Sequence, residues 1–252
     1  MRNIYILFLF LSCSSPDNII LVSNSGEAQG TYYHIKYLSA AAEDYHLQID
    51  SILQKIDSSL SIYKEYSLIS RLNKGESIRT DTFFNAVFLA SKKVFLETKG
   101  SFDCSVFPLV NEWGFYYDDI GDPLVIDSAK IIDALHNVGF HKIQLIGDSL
   151  VMPQNMSLDF NALAQGFTVD LIARFLDKKN IGDYMIELGG EVLTKGKNDE
   201  GNIWRIGIDK PLKDIDVKQR FQFILGLENK ALATSGNYRK FYEQDGVKYS
   251  HQ

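Results

Sequence analysis

Leu158-Asp159-Phe160-Asn161-Ala162-Leu163-Ala164-Gln165-Gly166-Phe167-Thr168-Val169-Asp170 is the stretch on which the fold turns. An acid ends an extended apolar run, and small residues then open a helix. The spacing of Phe167, Leu171, Ile172, Phe175 and Leu176 predicts that helix over residues 166–179. A helix start of this kind aims backbone N–H groups and a positive dipole end at a cleft, which suits a phosphate. Asp159 or Asn161 acting only as an N-cap explains the same residues equally well.

Outward from this helix the chain mixes helices with hairpins. Upstream, Gly30-Thr31-Tyr32-Tyr33-His34-Ile35-Lys36-Tyr37 alternates as a strand, and Tyr45, Ile49, Ile52, Leu53, Ile56 and Leu60 share one helical face. Asp81 is placed to cap a helix that buries Phe84, Val87, Phe88, Val94 and Phe95 and stops at Gly100. Asp127 is placed to cap another, with Ile131, Ile132, Leu135 and Val138 turned inward. Gly147-Asp148-Ser149 reads as the turn of a hairpin. Downstream, strands are predicted at residues 184–188, 191–194, 204–208 and 221–227, and Asp245-Gly246 as a tight turn between two more. Strands and helices do not alternate regularly. The expected fold class is therefore α+β, one compact domain of mixed, mainly antiparallel sheet and helices.

The 252 residues are 45% hydrophobic and 12% aromatic, enough for a substantial core. Net charge is −6 with scattered Lys and Arg, which argues against nucleic acid as a partner. Arg2, the apolar run Ile4-Tyr5-Ile6-Leu7-Phe8-Leu9-Phe10-Leu11 and Ser12-Cys13-Ser14-Ser15 resemble a bacterial lipoprotein cleavage box. On that reading residues 1–12 are a signal peptide, Cys13 is lipidated, residues 13–27 are a polar tether and the folded domain starts at residue 28. A buried N-terminal strand with an incidental cysteine is the plainer alternative. Cys13 and Cys104 are the two cysteines, so acylation of Cys13 leaves no intramolecular disulfide. Walker, dinucleotide-fingerprint, zincin and nucleophile-elbow motifs do not occur in the sequence.

Three further clusters carry polar or aromatic groups suited to a ligand. Gly100-Ser101-Phe102-Asp103 precedes Val106-Phe107-Pro108-Leu109-Val110-Asn111-Glu112-Trp113-Gly114-Phe115, a surface able to hold a planar ring while Asp103 fixes its polar edge. Glu187-Leu188-Gly189-Gly190-Glu191 puts paired glycines between strands, allowing positive φ or close ligand approach. Ala233-Thr234-Ser235-Gly236-Asn237-Tyr238-Arg239-Lys240, running on to Tyr249-Ser250-His251, offers hydroxyls and cations for a diphosphate. Each is ambiguous alone, since an ordinary loop or hairpin turn accounts for it too.

In this order and spacing the clusters resemble the ApbE family of FAD:protein FMN transferases. The resemblance includes Gly30-Thr31-Tyr32, Ser59-Leu60-Ser61-Ile62-Tyr63, Pro108-Leu109-Val110-Asn111-Glu112-Trp113-Gly114-Phe115, Trp204-Arg205-Ile206-Gly207-Ile208 and Ala233-Thr234-Ser235-Gly236-Asn237-Tyr238. It implies FAD contacts at Gln29, Tyr63, Ser101, Phe102, Asp103, Asp159 and Gln165, the last often a lysine in the family. It implies a magnesium ion held by the main-chain carbonyl of Ala162, and His251 as base for the acceptor hydroxyl. FMN would pass to a Thr or Ser of a membrane redox-complex subunit of the quinone-reductase type, releasing AMP. A periplasmic, inner-membrane lipoprotein is the implied setting, consistent with Cys13. The family continues past its histidine to an Asp and a Thr that complete the metal site, whereas this sequence stops at Gln252, so the C-terminal part of the domain is expected to be missing. Two other readings stay open at this point: an FAD diphosphatase giving FMN and AMP, and a non-catalytic FAD-binding lipoprotein.

Overall fold

A computed structural model of the chain describes residues 19–116, 127–210, 220–236, 241–244 and 247–250. Cys13 and His251 lie outside the described residues. The N-terminal half holds strands β1 (Ile20–Ala28) and β2 (Thr31–Ser39), then helices α1 (His46–Leu60), α2 (Leu68–Asn73), α3 (Thr82–Glu97), α4 (Phe107–Glu112) and α5 (Ser128–His136). The hairpin β3 (Gln144–Ile146) and β4 (Ser149–Val151) leads to α6 (Asn161–Lys178). Strands β5 (Tyr184–Leu188), β6 (Glu191–Lys195), β7 (Trp204–Asp209), β8 (Phe221–Leu227), β9 (Ala231–Leu232), β10 (Phe241–Gln244) and β11 (Val247–Ser250) follow.

The main sheet has the order β1-β2-β5-β6-β9, and every pairing in it is antiparallel. The expected α+β class and antiparallel sheet are what the chain forms. Alternation explains β2, where Tyr33, Ile35 and Tyr37 are buried in the face that meets α1 and α6. Its neighbour β5 turns Tyr184, Ile186 and Leu188 to the same side. Against this face Ile49 and Leu53 of α1 pack with Val169, Ile172, Ala173 and Leu176 of α6. A second core lies beyond, where Ile56 and Leu60 of α1 meet Ile69, Phe84, Phe88, Phe140, Leu158, Phe160 and Ala164. Helices α1 and α6 thus belong to both cores, and the first turns of α6 lie where the two meet.

Three expectations need correction. The tether expected to run through residue 27 is a full strand from Ile20, so the folded domain begins earlier than residue 28. β1 is an edge strand in which Asn24 is the single fully buried residue, and that leaves little apolar alternation to read. Helix α6 starts at Asn161 rather than residue 166, with Phe160 at the N-cap and no capping side chain there. Gly166 lies inside the helix; the apolar spacing begins only at Phe167, whereas the cap candidates Asp159 and Asn161 mark the true start. On α5 the capping by Asp127 is present, but Ala134 is the buried residue, while Ile132 and Leu135 are exposed and Ile131 and Val138 half-buried. A period-3.6 pattern identifies a helix but does not guarantee a partner for its apolar side.

Candidate functional site

The first turns of α6 are held from both sides. Leu158 is clamped by Asn73, whose Nδ2 donates to the Leu158 carbonyl at 2.8 Å while its Oδ1 accepts from Leu158 N–H at 2.8 Å. Asp159 N–H donates to the Cys104 carbonyl at 2.7 Å, bringing the 101–105 loop alongside. The Asp159 carboxylate then accepts from Asn161 N–H at 2.7 Å, so it caps the helix from one position before the N-cap. Leu163 and Ala164 N–H groups both turn back to the Phe160 carbonyl, at 2.9 and 2.8 Å. Ala162 N–H meets no acceptor among the described residues. An unused donor at the positive end of an 18-residue helix is a feature that anions bind.

Aromatic groups flank this helix start. Asn161 Nδ2 lies 3.3 Å from Tyr63 Oη, and the half-exposed Tyr63 ring stacks on Tyr116 at 5.6 Å with planes 8° apart. Tyr116 is fixed by donating to the Ile62 carbonyl at 2.7 Å and by the edge of Phe107 at 5.0 Å. The Tyr116 stack covers one face of the Tyr63 ring and fixes its plane beside the helix start.

Asp103 does more structural work than the sequence indicates. Its Oδ1 accepts from Ser105 N–H at 2.8 Å and Ser105 Oγ at 2.6 Å, and its Oδ2 accepts from Phe140 N–H at 3.0 Å. Ser105 Oγ in turn accepts from Gly139 N–H at 2.8 Å. Three of roughly four acceptor positions on the carboxylate are thus used within the fold. Ser101 stays at the surface, and Phe102 packs half-buried on the core beside α3.

The opposite flank comes from strand ends. Gln29, at φ 53° in the turn between β1 and β2, donates from Nε2 to Thr168 Oγ1 at 2.7 Å, and Thr168 donates onward to the Ala164 carbonyl at 2.7 Å. Gln29 Oε1 is buried and has no partner among the described residues. Such an acceptor costs about 1–3 kcal/mol unless a ligand donor meets it. Gly189 and Gly190 have φ of 59° and 99°. A Cβ at Gly189 would fall 2.9 Å from Gln165 Nε2, and one at Gly190 would collide with Thr234 Oγ1, which donates to the Gly190 carbonyl at 3.0 Å. Glycine is required at both positions by φ and by space alike.

The structure therefore gathers Tyr63, Asp159, Ala162, Gln165, Gln29, the double-glycine turn and Thr234 around the first two turns of α6. Sequence reasoning quoted Thr168 and Glu191 within its motifs without giving either a role, and it missed the Asn73 clamp. The signal for Glu191 was an acid one place after the glycine pair, in a strand whose register is fixed by the turn.

Burial raises the carboxyl groups of both Asp159 and Glu191 above the usual carboxylate range, and the Asn161 N–H partly offsets this for Asp159. A raised carboxyl binds its proton more tightly folded than unfolded. Its contribution favours the folded state below the unfolded value and is lost as pH rises through the raised one. Asp159→Asn and Glu191→Gln should each flatten the fall in stability across the acid range, read by denaturant titration from pH 4 to 7. A slope identical to that of the parent would contradict the burial of these groups.

Magnesium is tested against the same residues. Among the described residues there is no group of three or more His, Cys, Asp or Glu side chains placed to hold a metal. Ala162 contributes one main-chain oxygen from a helical turn, where carbonyls run along the axis toward the C-terminal end. The described residues do not complete an octahedral site.

Comparison with known proteins places the fold in a family. The ApbE family model matches residues 29–252. The chain belongs to the ApbE family. An FAD:protein FMN transferase of Haemophilus influenzae is 34% identical over 250 residues, covering 92% of this chain and 70% of that protein. The flavin transferase ApbE from Vibrio cholerae superposes with TM-score 0.79 at 33% identity, covering 92% of this chain and 75% of that one. The apo flavinyl transferase ApbE of Pseudomonas stutzeri gives 0.80 at 29% identity, covering 92% and 73%. β1 lies wholly ahead of the stretch matched by the family model, so this ApbE-family domain carries its first edge strand upstream of that stretch.

Proposed function

We propose that this ApbE-family chain is an FAD:protein FMN transferase. The observation that carries the reading is the convergence on one helix start of an unused backbone donor, an aromatic side chain and a glycine turn. The three come from segments distant in sequence. FAD has an anionic diphosphate between a flat tricyclic ring and a nucleoside. The α6 start suits the diphosphate and Tyr63 suits the ring. Relatives bearing a transferase name favour transfer over simple hydrolysis.

In the proposed reaction a Thr or Ser hydroxyl oxygen of the acceptor attacks the FMN phosphorus. A new P–O bond forms, the bridging P–O bond breaks, and AMP leaves with the bridging oxygen. The hydroxyl proton passes to a base, for which the family resemblance offers His251. This chain's described residues hold the donor: Gln29 and Gln165 offer amides, Asp159 an acceptor, and α6 its dipole. Magnesium, if held at the Ala162 carbonyl with ligands from outside the described residues, would supply positive charge for the diphosphate. The acceptor is proposed to be a subunit of a membrane redox complex of the quinone-reductase type. Export and acylation at Cys13, with attachment to the periplasmic face of the inner membrane, complete the proposal. Arg2 and the apolar run support it.

Gly166 gives a test that separates binding from folding. Glycine inside a helix costs about 0.5–1 kcal/mol relative to alanine. An added Cβ here would touch nothing nearer than Glu191 Oε2 at 3.7 Å, so the fold itself does not demand glycine. Gly166→Ala should raise the stability of the free protein by that amount and weaken FAD binding by occupying ligand space. Higher stability with full FAD affinity would remove the ligand from this turn. For the activity itself, the chain is incubated with FAD, magnesium and a Thr-containing acceptor protein. Flavin fluorescence on the denatured acceptor is the expected product, and chelation with EDTA is expected to abolish it. Labelling undiminished by EDTA would remove magnesium from the proposal.

A further inference from the structure

Glu191 stands where the sheet's own pattern calls for an apolar residue. It lies directly opposite Leu188 in β5, and Leu188 lies near Tyr33 of β2 in the same cross-sheet row, directly paired with it. Tyr33 and Leu188 are fully buried against the helices, and residues directly opposite one another point to the same side of a sheet. The register thus aims Glu191 at α6, where its carboxylate reaches to 3.7 Å from the position a Gly166 Cβ would take. The carboxylate is half-buried and has no hydrogen bond or ion pair among the described residues. Burial alone shifts its proton affinity, in the direction that disfavours the charge. A salt bridge or a capping contact would explain an acid on a packed face, and neither is present among the described residues. Next to it lies Gly166, where an added Cβ would meet nothing nearer than this carboxylate, and the Gln165 amide packs against the adjoining Gly189 turn.

We infer that Glu191 is a specificity-determining residue that accepts hydrogen bonds from sugar hydroxyls of the flavin dinucleotide. The inference rests on the transferase reading above. An ionised carboxylate only accepts, so it repels the diphosphate and needs donors from the ligand. FAD offers adjacent hydroxyl donors on its ribose and on its ribityl chain. A carboxylate meeting such hydroxyls forms charge-assisted bonds, the mode by which acidic residues hold the ribose of other dinucleotides.

Binding of FAD, FMN, AMP and the 2′- and 3′-deoxy forms of AMP is measured for the full chain and for Glu191→Gln and Glu191→Ala, after circular dichroism confirms folding. Glu191→Gln is nearly isosteric and keeps the comparison valid if alanine disturbs the sheet. The expected result is a loss of about tenfold or more in FAD affinity. That loss should recur with one half-ligand only, AMP if the ribose is held or FMN if the ribityl chain is. The matching deoxy analogue, a deoxyribityl FMN in the second case, should bind the parent weakly and be insensitive to the substitution. Unchanged FAD affinity overturns the assignment. So does an equal loss for AMP, its deoxy forms and FMN, which would mark a structural role. A loss seen only with magnesium present overturns it as well, placing Glu191 on a cation. A parent chain that fails to bind FAD sinks the transferase reading and this assignment together, whereas insensitive variants of a chain that binds FAD sink the assignment alone.

Discussion

Asp103→Ala is expected to lower the stability of the free protein by about 3 kcal/mol, because it strands donors that the fold satisfies internally. Ser105 N–H, Ser105 Oγ and Phe140 N–H all donate to this carboxylate, and the Gly139 N–H bond to Ser105 depends on the same arrangement. Ser105 is fully buried and Phe140 nearly so, which limits how far water can replace the lost acceptor. For a domain of this size a loss of that order lowers Tm by roughly 6–12 °C. Thermal denaturation without flavin checks it. The absence of ligand matters, because a residue acting only on FAD would leave the free protein unchanged. A Tm within 1–2 °C of the parent, a margin set by roughly half a kcal/mol, would show that the loop and the Gly139 turn do not rely on Asp103.

Asp159→Ala is expected to weaken FAD binding by about 1–3 kcal/mol, or roughly five- to 150-fold in Kd. Two roles meet at this carboxylate, because it caps α6 through Asn161 N–H and lies beside the Asn161 amide that reaches Tyr63, where the proposed FAD site is placed. Loss of a cap costs about 1 kcal/mol of stability by itself. Asp159→Asn separates the roles. Its carbonyl oxygen still caps the helix, so stability is kept near the parent's, while the charge available to a ligand donor is gone. Both variants should lose FAD affinity, and alanine alone should lose the cap. Parental FAD affinity in folded Asp159→Ala would remove this residue from the site.

Much of the architecture was legible because it rests on local chemistry. Asp81 caps α3 through its side chain as its position promised, and the apolar face of α1 and Phe84, Val87 and Phe88 of α3 lie in the cores, while Val94 and Phe95, expected to be buried too, are half-buried. The hairpin at Gly147 and the strands at 184–188 and 221–227 follow from turn residues and period-2 alternation. What escaped depended on contacts made far away. β1 is an edge strand whose polar side chains carry no alternation, and it is recognisable only through its pairing with β2. The short helices α2 and α4 have too few turns for a periodic signal.

The site divides in the same way. Gly189 and Gly190 announced a turn with positive φ, and Asp159 announced a helix start, so both were visible as local features. The sequence alone could not show that Gln29 reaches across 139 positions to Thr168, leaving its Oε1 buried and unpartnered. Nor could it show that Asp103 spends its acceptors on Ser105 and Phe140, because the second of these lies 37 residues downstream.

The most direct test of the account is transfer itself. The full chain is mixed with FAD labelled separately in its flavin and adenine halves, with magnesium and a Thr-containing acceptor protein, and the products are separated after denaturation. A transferase leaves flavin covalently bound to an acceptor Thr or Ser through a phosphoester, releases one AMP for each flavin attached, and loses both on Thr→Ala substitution in the acceptor. Free FMN and AMP at equal rates with or without acceptor would contradict transfer and make the chain a hydrolase of FAD.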